Sequence, residues 1–370
     1  MNSRLFAVAL VTIISLALTA TAHADGKLTS VGSGKDKIPV LVVKGTPYEM
    51  GRQQGELIKP QATEFISHIL KSIQAADSER FTDRALDEAW AASAEHTDPR
   101  FQEELKGLAA GSGLSLKLLQ RAHAIPMIAD YSCSSISAWG KATKDGHLYQ
   151  TRNLDWEMGL RAQEFPLIVV YIPDEGIPHV NITFAGCIGS NTGMNTAGIV
   201  LSEMGDSPSS DYPFDQNGVH FTTLFRNVLY DANGLDEAVD IFKNAKRTKK
   251  YHYVVGDGKN GRAVKMLAHA PNLVIWEDND ATDELAPNVF KDIVYQDEGR
   301  GAFQPLKKAY GNIGSQEMID LACKIPIKGA NVLDVVYDAT ALEFWVAYAE
   351  KDEDAYKRPF VHVKLKDYLD

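Results

Sequence analysis

The chain has 370 residues, 45% of them hydrophobic, and a formal net charge of −11 at pH 7. An acidic chain is a poor partner for nucleic acid, because phosphate contacts need clustered Lys and Arg; the charge bears on solubility instead. The three cysteines, Cys133, Cys187 and Cys323, leave at least one thiol unpaired in an oxidising compartment: either Cys187 and Cys323 form a disulfide or both stay buried thiols.

The chain opens Met1-Asn2-Ser3-Arg4, runs apolar from Leu5 to Leu18 and continues to Ala22-His23-Ala24. A short positive start, an apolar centre and an A-x-A ending describe a secretory signal peptide over residues 1–24, and the run is short for a bilayer span. Cleavage after Ala24 removes Arg4, makes the charge −12 and predicts a secreted or periplasmic protein with no stable membrane insertion. Residues 25–370 are enough to bury a large core; the sequence leaves the oligomeric state open, a homo-oligomer included.

Pro39–Val43 reads as a strand, and Gly45-Thr46-Pro47-Tyr48 starts a helix. From Pro47 to about Asp77 apolar residues such as Phe65, Ile66, Ile69, Leu70 and Ile73 recur at helical spacing. Residues 78–95, 98–111 and 115–124 read as three further helices, so 25–132 is a mainly helical segment. From Cys133 onward, β-type runs take over: Ser134–Trp139, His147–Thr151, Leu167–Tyr171, His179–Phe184 and Ile199–Glu203. Two helical stretches follow, Phe221–Tyr230 and Leu235–Ala245. Strands return at Tyr251–Val255, Ala263–Leu267 and Leu273–Ile275, and then at Val332–Tyr337, Leu342–Ala349 and Phe360–Val363. This order predicts α+β layers rather than a parallel βαβ fold.

Within Cys133–Trp156, CSSISAWGKATKDGHLYQTRNLDW, a cysteine precedes an Arg-x-x-Asp across a Lys144-Asp145-Gly146 turn. A β-hairpin here returns Arg152 and Asp155 to the side of Cys133. A thiol attacks carbonyl carbon as its thiolate and needs a base or cation to form it. No His lies at a suggestive spacing, the nearest being His123 and His147. Cleavage of the peptide bond between Ser132 and Cys133 would free an α-amine with a pKa of roughly 8, suited to moving protons near neutrality. Arg152 would then hold the thiolate while Asp155 orients the ammonium. Residues three apart on a regular strand face opposite ways, so convergence requires the strand to end or bend near Asn153-Leu154. Taken alone, Arg152 and Asp155 read as a surface ion pair.

The same segment resembles the start of the catalytic chain of N-terminal nucleophile hydrolases, in the branch of acyl-CoA:6-aminopenicillanate acyltransferases, choloylglycine hydrolases and penicillin V acylases, related to acid ceramidase. Gly45–Gly51 with Gly55, the glycine-rich stretch Thr183–Gly189 continuing Gly193–Gly198, Pro287-Asn288-Val289-Phe290 and Asp334–Asp338 are similar to further motifs of that family. The resemblance implies a four-layer αββα sandwich, self-cleavage at Ser132/Cys133, and a catalytic segment spanning 133–370. It also implies attack by Cys133 on a non-peptide amide, with Arg152 and Asp155 beside it. Asn288 would serve the oxyanion hole and Arg300 would act as a second arginine. The Ser202-Glu203 strand would supply a backbone donor, with His252 lining the substrate. Many relatives have Gly where Ser132 stands, and acyltransferase relatives often have Asn at the place of His252.

No Cys-x-x-Cys or His-Glu-x-x-His pattern suggests a metal, and no phosphate-cradling loop suggests a cofactor. The sequence therefore predicts a cofactor-free cysteine amidohydrolase acting on a small-molecule amide. An acyltransferase is the near alternative, and a non-catalytic exported binding protein is the alternative of another class.

Overall fold

The computed structural model describes residues 26–129, 132–204, 215–270, 272–283, 289–297, 299, 301–325 and 329–369, with Ser132 as backbone alone. The leader, Asn288 and Arg300 lie outside the described residues.

The chain enters through strands β1 (Lys27–Val31) and β2 (Ile38–Gly45). The helix expected from Pro47 to about Asp77 is two helices, α1 (Pro47–Leu57) and α2 (Lys59–Ala76). Ile58 leaves helical geometry between them, with φ −121° and ψ 25°. Pro60 follows in the first turn of α2, where its missing N–H costs nothing; inside a continuous helix it would break a hydrogen bond. Helices α3 (Asp83–Ala94), α4 (Pro99–Ser112) and α5 (Leu116–Ile128) complete the helical segment.

Gly111 lies within α4, and Gly113 ends the helix in the left-handed region at φ 77°. Gly107 and Gly111 of α4 face α1. A Cβ added at Gly107 would sit 2.0 Å from the Tyr48 carbonyl oxygen, and one at Gly51 would sit 1.9 Å from that of Glu104. The two helices touch backbone to backbone, which no larger residue allows.

Strand β3 (Ser132–Ala138) and β4 (Tyr149–Asp155) form the expected hairpin. There follow β5 (Pro166–Pro173), β6 (His179–Phe184), β7 (Thr192–Asn195) and β8 (Ile199–Met204). Next come α6 (Phe221–Asp231), α7 (Leu235–Asn244), β9 (Tyr251–Asp257), β10 (Arg262–Ala268), β11 (Leu273–Trp276) and β12 (Ile293–Gln296). The chain ends with α8 (Phe303–Ala309), α9 (Ser315–Ala322), β13 (Asn331–Asp338), β14 (Glu343–Tyr348) and β15 (Val361–Lys364).

The strands make two sheets. One has nine strands in the order β1-β2-β5-β6-β7-β8-β9-β10-β11, the other six in the order β12-β3-β4-β13-β14-β15. Neighbours are antiparallel apart from the parallel pair β2–β5. The sheets meet where β3 and β4 lie over β8, and β12 over β10. Helices α1, α6 and α7 cover the outer face of the larger sheet, and α9 covers that of the smaller one. This is the αββα layering that the family resemblance implies. Each interface has its own core. Phe225, Val228 and Phe242 pack on Tyr253 and Val255, while Met318 and Leu321 pack on Ile136 and Val336. Between the sheets, Gln150 Nε2 donates to Ser202 Oγ at 2.9 Å and to the Val254 carbonyl at 3.2 Å. The inter-sheet layer thus carries hydrogen-bonded polar groups, and Cys133 belongs to it.

Candidate active site

The hairpin sets the geometry. Its register pairs Cys133 with Leu154, Ser132 with Asp155 and Ser134 with Asn153. Directly opposed residues of an antiparallel pair share a face, and alternate residues along one strand share it too. Arg152 is therefore on the face of Cys133, toward the larger sheet, whereas Asp155 is on the other face, across from Ser132 and so beside the Ser132–Cys133 peptide bond. The irregularity expected in β4 is found in its partner: β13 shifts register between Asn331 and Leu333, opposite Asp155 and Leu154, and β4 ends at Asp155. Cys133 and Arg152 are fully buried and Asp155 is 2% exposed, so these are not surface charges.

Arg152 reaches across to the larger sheet. Its Nη1 donates to the Asn153 carbonyl at 2.7 Å, its Nε to the Asn191 carbonyl at 3.4 Å, and its Nη2 to Glu203 Oε2 at 3.1 Å. Both members of the Arg152–Glu203 pair are fully buried. Such a charge is tolerated inside a protein only when paired and hydrogen-bonded. Glu203, read from sequence for its backbone, thus contributes its carboxylate. Ser202 beside it is equally buried, and its hydroxyl donates to the Thr151 carbonyl at 2.9 Å. His252 lies on β9 opposite Met204; burial, then Lys265 and Lys250, push its pKa down to about 3, so it is neutral.

Behind Asp155 lies a network built on β13. Asn331 Nδ2 donates to Asp155 Oδ1 at 3.3 Å and to Asp334 Oδ1 at 2.8 Å, and Asn153 Nδ2 donates to the same Asp334 oxygen at 2.9 Å. The signal in the sequence is one carboxylate inside the apolar run Val332-Leu333-Asp334-Val335-Val336, which a buried strand accepts only with partners.

Burial pushes the Asp334 pKa from 3.8 up to about 8; Asn331 and Asn153 pull the other way, and the Asp155 charge adds to the rise. Between these values the folded protein holds a proton that the unfolded chain has lost. Stability therefore falls as pH rises through this window, by at most about 1.4 kcal/mol per pH unit. Asp334→Asn keeps the oxygen that accepts both bonds and removes the titration. Its melting temperature should change less than that of wild type between pH 5 and pH 8. Parallel curves would show that Asp334 is not the group responsible.

An apolar pocket of about 50 Å³ opens between the two chain segments, lined by Phe65, Ile69, Ile125, Trp156, Phe184 and Thr222 among others. It adjoins the cluster: Asn191, whose carbonyl accepts from Arg152, is in its wall, and Trp156 follows Asp155. His123 also lines it; its Nδ1 meets the Leu119 carbonyl at 2.8 Å and its Nε2 accepts from the Ile188 N–H at 3.0 Å. Burial drives its pKa down to about 4, so it braces the wall as a neutral ring. Cys187 lines the pocket with its thiol pushed up to about 12 by burial. Cys323 donates to the Tyr356 carbonyl at 3.4 Å, so Cys187 and Cys323 are two thiols rather than a disulfide. Among the described residues, no group of three or more His, Cys, Asp or Glu could hold a metal, and no helix is long and apolar enough to cross a membrane.

Residues 142–282 match the acyl-coenzyme A:6-aminopenicillanic acid acyl-transferase family. The acyl-transferase match starts downstream of Cys133 and takes in Arg152, Asp155, Ser202, Glu203 and His252; it bears out the resemblance read from the sequence. The chain is 29% identical to protein dcd1B of Dictyostelium discoideum over 74% of its own length and 60% of that protein's length. It is 24% identical to dcd1A of the same organism, over 93% of this chain and 88% of the other. Among solved structures it is similar to a Caenorhabditis elegans N-acylethanolamine-hydrolyzing acid amidase ortholog, at 16% identity and a TM-score of 0.45, covering 62% of this chain and 98% of that one. It is also similar to penicillin V acylase from Agrobacterium tumefaciens, at 10% identity and a TM-score of 0.45, covering 64% and 88%.

Proposed function

We propose that this protein is an exported, self-processing cysteine amidohydrolase that cleaves a small-molecule amide with an apolar acyl group. The observation that carries the reading is the hairpin register, with Arg152 on the face of Cys133 and Asp155 beside the Ser132–Cys133 bond. Once that bond is cut, Cys133 Sγ attacks the substrate carbonyl while its own α-amine takes the thiol proton. The tetrahedral intermediate collapses to a thioester as the amine returns the proton to the leaving nitrogen. Water, activated by the same amine, releases the acid. Arg152 favours the thiolate, and Asp155 orients the ammonium as an adjacent carboxylate should. Asn288, with a backbone N–H of the Ser202-Glu203 strand, serves the oxyanion; Arg300 acts as a second arginine and His252 lines the substrate. The apolar pocket supports the acyl preference, since such walls bind through area removed from water.

The acyl-transferase match favours one second reading, in which an amine rather than water takes the acyl group from the same thioester. A panel of N-acyl amides with aryl, short aliphatic and long aliphatic acyl groups tests both. Release of the amine, together with an acyl adduct on Cys133 by intact mass, is the expected result. Transfer to an added amine in preference to water would favour the acyltransferase. No turnover and no adduct with any amide would leave a non-catalytic exported binding protein.

A further inference from the structure

Helix α5, which leads into the Ser132–Cys133 bond, is held at its end by side chains from beyond that bond. The last carbonyls of a helix lack partners within it. Here the Lys249 ammonium donates to the Ala129 carbonyl and the Tyr251 hydroxyl donates to that of Pro126 at 3.4 Å. Lys249 and Tyr251 are 2% and 1% exposed, and the ammonium lies 4.9 Å from the Tyr251 ring centre. A cation at this end of a helix also meets the negative pole of its dipole.

His220 fixes the direction of the tyrosine bond. Its Nδ1 accepts from the Thr222 N–H at 3.3 Å. In the neutral ring the proton then sits on Nε2, which donates to the Tyr251 hydroxyl at 3.2 Å. Burial, then the Lys249 charge, drives the His220 pKa down to about 3, so the ring stays neutral at working pH.

The chain just upstream of the bond is therefore anchored at two points. Ala129 is held by Lys249, and Ser132 by its pairing with Asp155. Asp130 and Tyr131 alone lie between them, and a chain advances at most about 3.6 Å per residue. We propose that Lys249, with Tyr251 behind it, is a positioning clamp for self-cleavage, anchoring Ala129 so that the Ser132 carbonyl is presented to the Cys133 thiol. The inference rests on the self-processing reading above. In that step Sγ bonds to the Ser132 carbonyl carbon, the carbon–nitrogen bond breaks, and the thiol proton passes to the departing nitrogen. Water then hydrolyses the thioester to a Ser132 carboxylate and the Cys133 thiol. Lys249 exchanges no atom; it sets the approach of the two reacting groups, where misplacement is costly.

The test follows pulse-labelled full-length chains into two pieces by intact mass, alongside melting temperature and amide turnover per titrated thiol in the cut fraction. Lys249→Met should slow cutting by about 10-fold or more and leave turnover per cut molecule within about 2-fold of wild type. Lys249→Arg, which keeps a donor, should recover most of the rate. Tyr251→Phe loses one hydroxyl and gives a milder slowing, so the proposal stays testable if Lys249→Met does not fold. Wild-type cutting rates in Lys249→Met and Tyr251→Phe would overturn the clamp alone. Equal slowing in Lys249→Met and Lys249→Arg with collapsed melting temperatures would also overturn it, as a general loss of structure. A wild type that never cuts would instead remove the self-processing reading, and the clamp with it.

Discussion

Replacing Cys133 with alanine is expected to leave one uncut chain and to lower amide turnover by about 10³-fold or more, the usual consequence of deleting a covalent nucleophile. The two effects share one atom, because in the proposed function the same sulfur attacks the Ser132 carbonyl and later the substrate. Cys133 is fully buried within the inter-sheet layer, so losing its sulfur leaves a small void and costs little in folding compared with the catalytic loss. Intact mass and amine release check the two effects separately. An alanine variant that is cut like wild type would point to another protease. One that turns over every amide at the wild-type rate would move the chemistry away from Cys133 altogether.

Removing one partner of the buried pair Glu104–Arg226 should cost about 3–5 kcal/mol of stability, because the other charge is left uncompensated. Both side chains are 1% exposed, and the bond is two-pronged, at 3.1 and 2.8 Å. Arg226 also donates to the Ile188 carbonyl at 2.7 Å and lies 3.9 Å from the Tyr171 ring centre. Burial pushes the Glu104 carboxyl up against the pull of Arg226, so the ion pair is held at a desolvation cost. Glu104 is on α4, before the proposed cut, and Arg226 is on α6, after it; the pair is one rivet between the two segments. Urea unfolding in a Cys133→Ala background keeps every molecule in one chain. There Glu104→Ala should lower the midpoint sharply, while the double change Glu104→Leu with Arg226→Met should recover most of the loss. Additive losses would mean the two groups do not act as a pair.

Sequence patterning reveals the hairpin and the neighbours it gathers because both are local: Cys133, Arg152 and Asp155 sit on adjacent strands joined by one turn. The helical segment is legible from the spacing of Phe65, Ile66, Ile69 and Ile73, although Ile58 splits it. What stays hidden depends on distant pairing. Nothing near Glu203 announces that its carboxylate meets Arg152, since the contact crosses from one sheet to the other. Asn331 becomes a partner of Asp155 only through the register shift in β13. Strands β7 and β12 are four residues each, too short for alternation to stand out, and α8 and α9 carry only two turns of periodicity.

The bare-backbone contact between α1 and α4 also bears on that rivet. Gly51 of α1 faces the main-chain oxygen of Glu104 itself, so the spacing of these two rods sets where the carboxylate lands. Side-chain repacking has no slack with which to absorb a change there. The upstream piece thus acts as a stiff strut, whose fit to the rest of the molecule is decided by hydrogen-only positions on both rods, Gly51 and Gly55 on one and Gly107 and Gly111 on the other.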